Sequence, residues 1–311
     1  MIEIRYLVLP TERNKTMILG ALEAGGTKMV CAVGDDNGNL TARISFPTKT
    51  PEETMPQMIA FFKEHHIEAL GIGTFGPADL NPDSPTYGCI TTTPKLAWAN
   101  YNIRKAFADA LQVPVGFDTD VNAAALGEAS YGCMQNIQNG IYITIGTGIG
   151  VGVLAEGRLL HGMLHPEGGH ILLERHPSDS YKGCCPYHSN CFEGLASGPA
   201  IKGRYGKNAV ELEDIPEVWE LEADYIAKAL VNYILILSPE RIVLGGGVMH
   251  QEQLFPLIRK KTAEYLNGYI KTKEMENMEA YIVPPSLNDN QGVLGCLKLA
   301  LDAHCIEEKA K

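Results

Sequence analysis

Two glycine-rich stretches decide the fold of this chain: ILGALEAGGTKMVCAV at residues 18–33 and IYITIGTGIGVGVL at residues 141–154. Each pattern is typical of a strand, a tight turn and a second strand, because apolar β-formers flank the glycines on both sides. Gly25 and Gly148 occupy matching places in the two stretches. This self-similarity indicates an internal duplication in which each half opens with a β-hairpin.

The remaining segments alternate between helical and strand patterns. Helical patterns cover residues 52–65, 121–132, 218–237 and 292–303, and strand patterns cover residues 69–75, 113–117 and 241–247. Residues 79–87 show neither periodicity, and we expect a surface loop there. Strands that alternate with helices predict an α/β fold.

Composition excludes several classes of protein. The 311 residues are 45% hydrophobic and 20% charged, which suits two ordinary domains with packed cores. A net charge of −11 argues against nucleic acid and anionic membranes as partners, because both bind to basic surfaces. We identify no signal peptide and no apolar run long enough to span a membrane, so a cytoplasmic location is expected.

Three glycine turns follow predicted strands: Gly25-Gly26-Thr27-Lys28, Gly146-Thr147-Gly148 and Gly245-Gly246-Gly247. None has the spacing of a P-loop or of a dinucleotide-binding fingerprint. Any one of them alone could be an ordinary turn. Two such turns lie at duplicated positions and a third follows another strand. Together the three turns predict that backbone N–H groups form a phosphate-binding site between two lobes.

The segment Phe117-Asp118-Thr119-Asp120-Val121-Asn122 lies where a buried strand passes into a helix. Site residues of α/β folds commonly lie at such strand ends. Asp120 could simply cap the helix, or it could accept a proton from an attacking hydroxyl group. Asp118 is the second candidate for that base.

A cluster of soft ligands has the spacing H-x14-C-x2-H-x2-C and consists of His170, Cys185, His188 and Cys191. This spacing predicts a tetrahedral zinc site, although a chance cluster of reduced thiols is the alternative. Three further residues could compete as ligands but fit the spacing less well: Cys184, His165 and His176.

Two glutamates flank this cluster, Glu167 three residues before His170 and Glu193 two residues after Cys191. A metal that folds the loop would bring both carboxylates together, where they can accept hydrogen bonds from a polyol. Either glutamate alone would more simply be a solvated surface residue.

Taken together, the motifs resemble those of the ROK-family sugar kinases, most closely their bacterial fructokinase branch, over residues 17–303. The resemblance rests on LEAGGTK at 22–28, DTDVNAAALGE at 118–128, YITIGTGIG at 142–150, HPEGGH at 165–170, CPYHSNCFEGLASGPA at 185–200 and LGGGVM at 244–249.

The resemblance implies a duplicated actin-like ATPase fold, which is ribonuclease H-like, with two lobes and a central cleft. The expected N-terminal lobe is 17–115 with a C-terminal helix at about 289–305, and the expected C-terminal lobe is 116–288 with a zinc loop at 165–193. Residues 1–16 lie outside the match, although their alternating apolar side chains could add an edge strand.

The resemblance also implies a role for individual residues. Asp120 is the expected catalytic base. The expected nucleotide contacts are Gly25, Gly26, Thr27, Lys28, Gly146, Thr147, Gly148, Pro199, Gly245, Gly246, Gly247, Val248 and Met249. The expected sugar contacts are Gly76, Glu167, His170 and Glu193, and His170 also matches a ligand of a structural Zn²⁺ together with Cys185, His188 and Cys191.

The implied reaction is phosphorylation of D-fructose to fructose 6-phosphate by ATP with Mg²⁺, in a homodimer. Glu23 is expected near the water shell of the magnesium ion, and Lys28 is the main cation near the glycine turns. Thr119 replaces an asparagine of glucose-type members, and the Cys185-x2-His188 spacing is that of the fructokinase branch. A kinase for mannose, glucose or an amino sugar, or a sugar sensor without catalysis, is the alternative.

Overall fold

The computed structural model describes residues 16–93 and 95–310, and within them the chain forms twelve strands and ten α-helices. The strands are β1 (Leu19–Ala24), β2 (Lys28–Gly34), β3 (Leu40–Pro47), β4 (Ala69–Thr74), β5 (Cys89–Ile90), β6 (Tyr101–Asn102), β7 (Val115–Thr119), β8 (Gly140–Ile145), β9 (Ile149–Ala155), β10 (Arg158–Leu159), β11 (Arg241–Gly245) and β12 (Ile282–Val283). The helices are α1 (Pro51–Glu64), α2 (Ile103–Leu111), α3 (Asp120–Tyr131), α4 (Phe192–Ala196), α5 (Gly198–Tyr205), α6 (Pro216–Leu237), α7 (Leu254–Leu266), α8 (Lys273–Glu276), α9 (Met278–Tyr281) and α10 (Gln291–Ala310). The edge strand considered for residues 2–8 lies outside the described residues.

The two large sheets have the same architecture. The first has the order β3-β2-β1-β4-β7 and the second the order β10-β9-β8-β11-β12. In each sheet the first three strands form an antiparallel meander and the last two add in parallel. The duplicated α/β fold expected from the two glycine-rich hairpins is therefore confirmed.

Helix α3 lies between the two sheets. Ala123 on α3 packs in the apolar cluster of the first sheet, whereas Val121 and Ala125 pack in a cluster with Tyr142 and Val243 of the second. The C-terminal helix α10 crosses α3 so closely that a Cβ atom added at Gly295 would lie 1.6 Å from the carbonyl oxygen of Ala123. This packing fixes the N-terminal end of α3, and with it Asp120, at the junction of the two halves.

The predicted helices and strands all appear. The sequence patterns missed the edge strand β3, the short strands β5, β6, β10 and β12, and the helices α2, α4, α5, α7, α8 and α9. Strand β3 is an edge strand whose residues are all exposed or half-buried, but its sequence alternates apolar residues (Leu40, Ala42, Ile44 and Phe46) with polar ones, so this alternation could have identified it. Helix α2 is short and ends at Gln112 in a left-handed conformation, without the glycine that commonly marks a helix end. Within the described residues, no helix is both long enough and apolar enough to cross a lipid bilayer.

Candidate active site and metal cluster

Asp120 is the first residue of α3, and Thr119 is the N-cap of that helix. Thr119 Oγ1 accepts a hydrogen bond from the Asn122 backbone N–H at 3.2 Å, which is the N-cap interaction considered for Asp120 in the sequence. Asp120 Oδ1 accepts from the Val121 N–H at 2.8 Å, and Oδ2 accepts no hydrogen bond from the described residues. One carboxylate oxygen is therefore free to receive a proton.

The surroundings of Asp120 raise its pKa to about 7. The main cause is burial, which disfavours the charged form, and the nearby carboxylates of Glu23 and Glu167 act in the same direction. The Val121 N–H opposes the shift by hydrogen bonding to the carboxylate. Burial therefore outweighs the helix N-terminus, which by itself favours the ionised carboxylate.

Asp118, the second candidate for the base, is engaged on both oxygens and only 3% exposed. Its Oδ1 accepts from the Thr119 N–H at 2.8 Å and from Asn122 Nδ2 at 2.7 Å, and its Oδ2 lies 2.8 Å from His161 Nε2. A carboxylate so fully engaged has little capacity to receive a substrate proton. The geometry favours Asp120.

The second and third glycine turns meet at the N-terminus of α5. The Gly198 N–H donates to the Gly146 carbonyl at 2.8 Å, and Gly146 also lies beside the Gly247 backbone. Gly246 has a φ of +89°, and a Cβ atom there would lie 2.5 Å from the backbone of Ile145, so this turn requires glycine. Pro199 follows directly in α5, so the structure brings the predicted nucleotide contacts of the second half together.

A cavity of about 500 Å³ opens beside the third turn. Its walls include Gly245, Gly246, Met249, Phe255 and the residues Pro284, Pro285, Asn288 and Asp289 before α10. Phosphate-holding turns beside a partly apolar cavity of this size suit a nucleotide, whose base is apolar on its faces and whose phosphates are anionic.

The first glycine turn carries a cation that the sequence did not reveal. The Gly25 N–H donates to the Lys28 carbonyl at 3.0 Å and closes the hairpin. The Cε atom of Lys95 lies 3.8 Å from the position that a Cβ on Gly26 would occupy. Lys95 follows β5 in an irregular segment that no local motif connects to the turn. Lys28 is therefore not the only lysine beside this turn.

Glu23 lies on β1 just before the first turn. Burial raises the pKa of this carboxyl, while the positive charges of Lys28 and Arg43 oppose that shift. The Asp289 carboxylate also raises it, which places the start of α10 near the same position. Carboxylates beside a phosphate cradle are groups that can hold the water shell of Mg²⁺.

The four predicted metal ligands converge. The ligand atoms of His170, Cys185, His188 and Cys191 all lie within 4.8 Å of one another. Cys185 Sγ lies 3.8 Å from His170 Nδ1 and 3.7 Å from His188 Nδ1, and Cys191 Sγ lies 3.7 Å from His170 Nδ1. These separations match the edge of about 3.6 Å expected between sulfur and nitrogen ligands of a tetrahedral zinc ion.

The competing ligands lie elsewhere. Cys184 Sγ contacts Ser197 Oγ at 3.5 Å, and His176 Nδ1 contacts Ser178 Oγ at 2.8 Å. His165 is buried beside Gly76 and Glu167, outside the cluster. The cluster is therefore the one that the cysteine and histidine spacing predicted.

The metal cluster adjoins the predicted sugar contacts. Cys191 is the N-cap of α4 and Glu193 lies in the first turn of that helix. Glu193 Oε2 accepts from the Ile149 N–H at 2.9 Å, and a Cβ atom on Gly148 would lie 2.8 Å from it. Glu193 therefore connects the metal cluster to the second glycine turn.

Comparisons with known proteins agree with this architecture. The model of the ROK family matches residues 19–303. A putative fructokinase of Bacillus subtilis is 53% identical, with 92% of this chain and 96% of the relative aligned. A fructokinase of Pediococcus pentosaceus is 48% identical, with 91% of this chain and 98% of the relative aligned.

Solved structures agree as well. A ROK hexokinase from Thermus thermophilus gives a TM-score of 0.76 at 27% identity, covering 95% of this chain and all of that one. A ROK family glucokinase from Streptomyces griseus, solved with glucose and AMPPNP, gives a TM-score of 0.73 at 23% identity and covers 93% of this chain. The expected actin-like ATPase fold with two lobes is confirmed, and the chain belongs to the ROK family.

Proposed function

We propose that this chain transfers the γ-phosphoryl group of ATP to O6 of D-fructose, with Asp120 as the general base. The observation that carries this proposal is the position of Asp120, which has one free carboxylate oxygen at the junction of the two halves. As the bond from O6 to the γ-phosphorus forms, the bond from that phosphorus to the bridging oxygen of ADP breaks, and the O6 proton moves to Asp120.

Fructose as the sugar is supported by the relatives described above that share about half of their residues with this chain and are named fructokinases. Within the site, Glu167, Glu193 and the free edge of His170 would accept or donate hydrogen bonds to the sugar hydroxyl groups, with Gly76 forming the opposite wall. These groups would hold the sugar so that O6 lies beside Asp120.

The nucleotide would lie with its base in the cavity beside Gly245 and Met249 and its phosphates against the three glycine turns. Thr147 and the N-terminus of α5 add donors to the second turn. Mg²⁺ would neutralise charge on the phosphates, and Glu23 is the group that we propose for its water shell. Lys28 and Lys95 would add positive charge beside the first turn.

Zinc is the metal that we propose for the cluster of His170, Cys185, His188 and Cys191, because two sulfur and two nitrogen ligands in tetrahedral separation suit this ion. Its role would be structural. By tying residues 165–193 together it would hold Glu167 and Glu193 at the sugar.

The proposal includes the division into a lobe of residues 17–115 with the C-terminal helix at about 289–305 and a lobe of residues 116–288, with both substrates between them. The matching strand orders of the two sheets support a division into two lobes, but β7 (Val115–Thr119) completes the first sheet, so the sheets favour a boundary after Thr119. A cytoplasmic homodimer that binds neither nucleic acid nor membrane completes the proposal.

Coupled measurement of ADP release against a panel of D-fructose, D-mannose, D-glucose and D-glucosamine tests the function. We expect fructose to give the highest kcat/KM. A value for glucose or mannose equal to that for fructose would reject fructose as the substrate while leaving a hexose kinase. No turnover of any sugar would instead indicate a sensor.

A further inference from the structure

His165 carries a buried polar atom without a partner. Its side chain is 6% exposed, and Nε2 makes no hydrogen bond with the described residues. The nearest acidic atom, Glu167 Oε1, lies 3.6 Å away, which is too far for a good hydrogen bond. Buried polar atoms in native proteins nearly always have a partner, so this atom calls for one that the protein itself does not supply.

The orphaned nitrogen lies where the two halves of the chain meet. His165 lies in the segment after β10, whereas Gly76 follows β4 of the first sheet. A Cβ atom on Gly76 would lie 3.6 Å from His165 Nε2. Glu167, whose negative charge raises the pKa of Asp120, lies on the same side. The unpaired atom therefore lies between two residues that we place at the sugar, and near the proposed base.

The buried polar residues at the strand-to-helix junction before Asp120 do not offer the same contact. Thr119 is 2% exposed, and its hydroxyl oxygen already accepts from the Asn122 N–H. Asp118 is held by His161, Asn122 and the backbone. At this wall of the cleft, His165 is thus a buried polar group with hydrogen-bonding capacity to spare.

We propose that His165 Nε2 forms a hydrogen bond with one hydroxyl group of the bound sugar and so determines specificity. This inference rests on the proposed function, in which fructose lies between Gly76 and Glu167. A site built to pair with a hydroxyl group rejects analogues that lack it, because its own buried polar atom is then left without a partner. His165 selects the sugar and does not take part in proton transfer.

The test compares wild type with His165→Ala and His165→Gln, the second of which keeps a donor and an acceptor near the position of Nε2. We expect His165→Ala to raise the KM for fructose about tenfold, with the KM for ATP and the zinc content unchanged. His165→Gln should recover part of the affinity. His176→Ala, which removes a histidine bonded to Ser178 outside the cluster, is the matched control and should behave like wild type.

The decisive readout comes from analogues of fructose that each lack one hydroxyl group. Three are deoxy sugars that lack it at C1, C3 or C4, and the fourth is 2,5-anhydromannitol, which lacks the hydroxyl group at C2. Wild type should discriminate against the analogue without the contacted hydroxyl group, and His165→Ala should lose that discrimination for this analogue only. If His165→Ala keeps the wild-type ratio for every analogue, the inference is wrong. If it has no effect in a Glu167→Gln background, His165 acts only through Glu167, and the inference is also wrong.

The two proposals can fail separately. Wild type that does not turn over fructose contradicts the proposed function and the fructose contact together. Wild type that turns over fructose, with unchanged discrimination in the variant, contradicts only the role of His165.

Discussion

His161 and Asp118 form an ion pair between the two halves of the chain, with His161 Nε2 2.8 Å from Asp118 Oδ2. Asp118 lies at the end of β7 in the first sheet, and His161 follows β10 of the second. The pair borders a cavity of about 400 Å³ between the loop at Asp79 and the segment at Met163. The loop expected at residues 79–87 therefore forms one wall of a cleft.

This pair makes stability depend on pH. The hydrogen bond with Asp118 raises the pKa of His161 above its ordinary value of 6.5, although burial opposes the shift. Because the pKa is raised in the folded state, the stabilisation is complete below pH 6.5 and is lost as the pH rises through the raised pKa. His161→Gln should therefore lower the Tm relative to wild type more at pH 6 than at pH 9. An equal difference in Tm at both pH values would contradict this reading.

The metal cluster provides a second prediction. Elemental analysis should find about one zinc per chain, and Cys185→Ser should lose the metal, lower the Tm and raise the KM for fructose, because the loop no longer places Glu167 and Glu193. Cys184→Ser changes the neighbouring thiol, which contacts Ser197 instead of the cluster, and should keep the zinc. A metal-free preparation with full activity would show that the cluster does not hold the sugar site together.

The contact between Gly148 and Glu193 gives a third prediction. Gly148→Val places a side chain where a Cβ would already lie 2.8 Å from Glu193 Oε2, so it should raise the KM for fructose as well as for ATP, each about tenfold or more. Glu193→Gln adds no bulk to the turn and should raise only the KM for fructose. If Gly148→Val leaves the affinity for nucleotide unchanged, this turn does not bind phosphate.

Much of this site could be predicted from local patterns. The glycine hairpins, the Cys185-x2-His188-x2-Cys191 spacing and the strand-to-helix junction at Asp120 are each encoded within a few residues of one another. The groups that the sequence did not reveal are brought in from distant parts of the chain. Lys95 reaches Gly26 and His161 reaches Asp118 only through tertiary packing, for which no spacing rule exists.

The protonation state of Asp120 could not be predicted from the neighbouring sequence either. A helix N-terminus by itself favours a low pKa, but the pKa of Asp120 also depends on burial and on Glu23 and Glu167, which come from β1 and the metal loop. Electrostatic balance at a buried group is set by the whole surroundings, and a sequence motif gives only one part of it.

The pKa of Asp120 leads to a fourth prediction. A general base must be ionised to accept a proton, so kcat/KM for fructose should fall tenfold per pH unit below about pH 7 and level off above it. The residual kcat/KM of Asp120→Asn should not fall in this way as the pH is lowered below 7. A wild-type profile that stays flat from pH 5 to pH 7 would contradict a base with this pKa.

The kcat of Asp120→Asn with fructose and saturating Mg²⁺ and ATP tests the central claim most directly. Asparagine keeps the size of the side chain, and Thr119 remains as the N-cap, so the variant should fold. Because the pKa of Asp120 is raised in the folded state, replacing it with a neutral group should also leave the Tm at pH 8 equal to or above that of wild type. We predict a kcat lower by a factor of roughly 10² to 10⁴, with the KM for fructose and ATP nearly unchanged. A kcat within a few-fold of wild type would contradict Asp120 as the base.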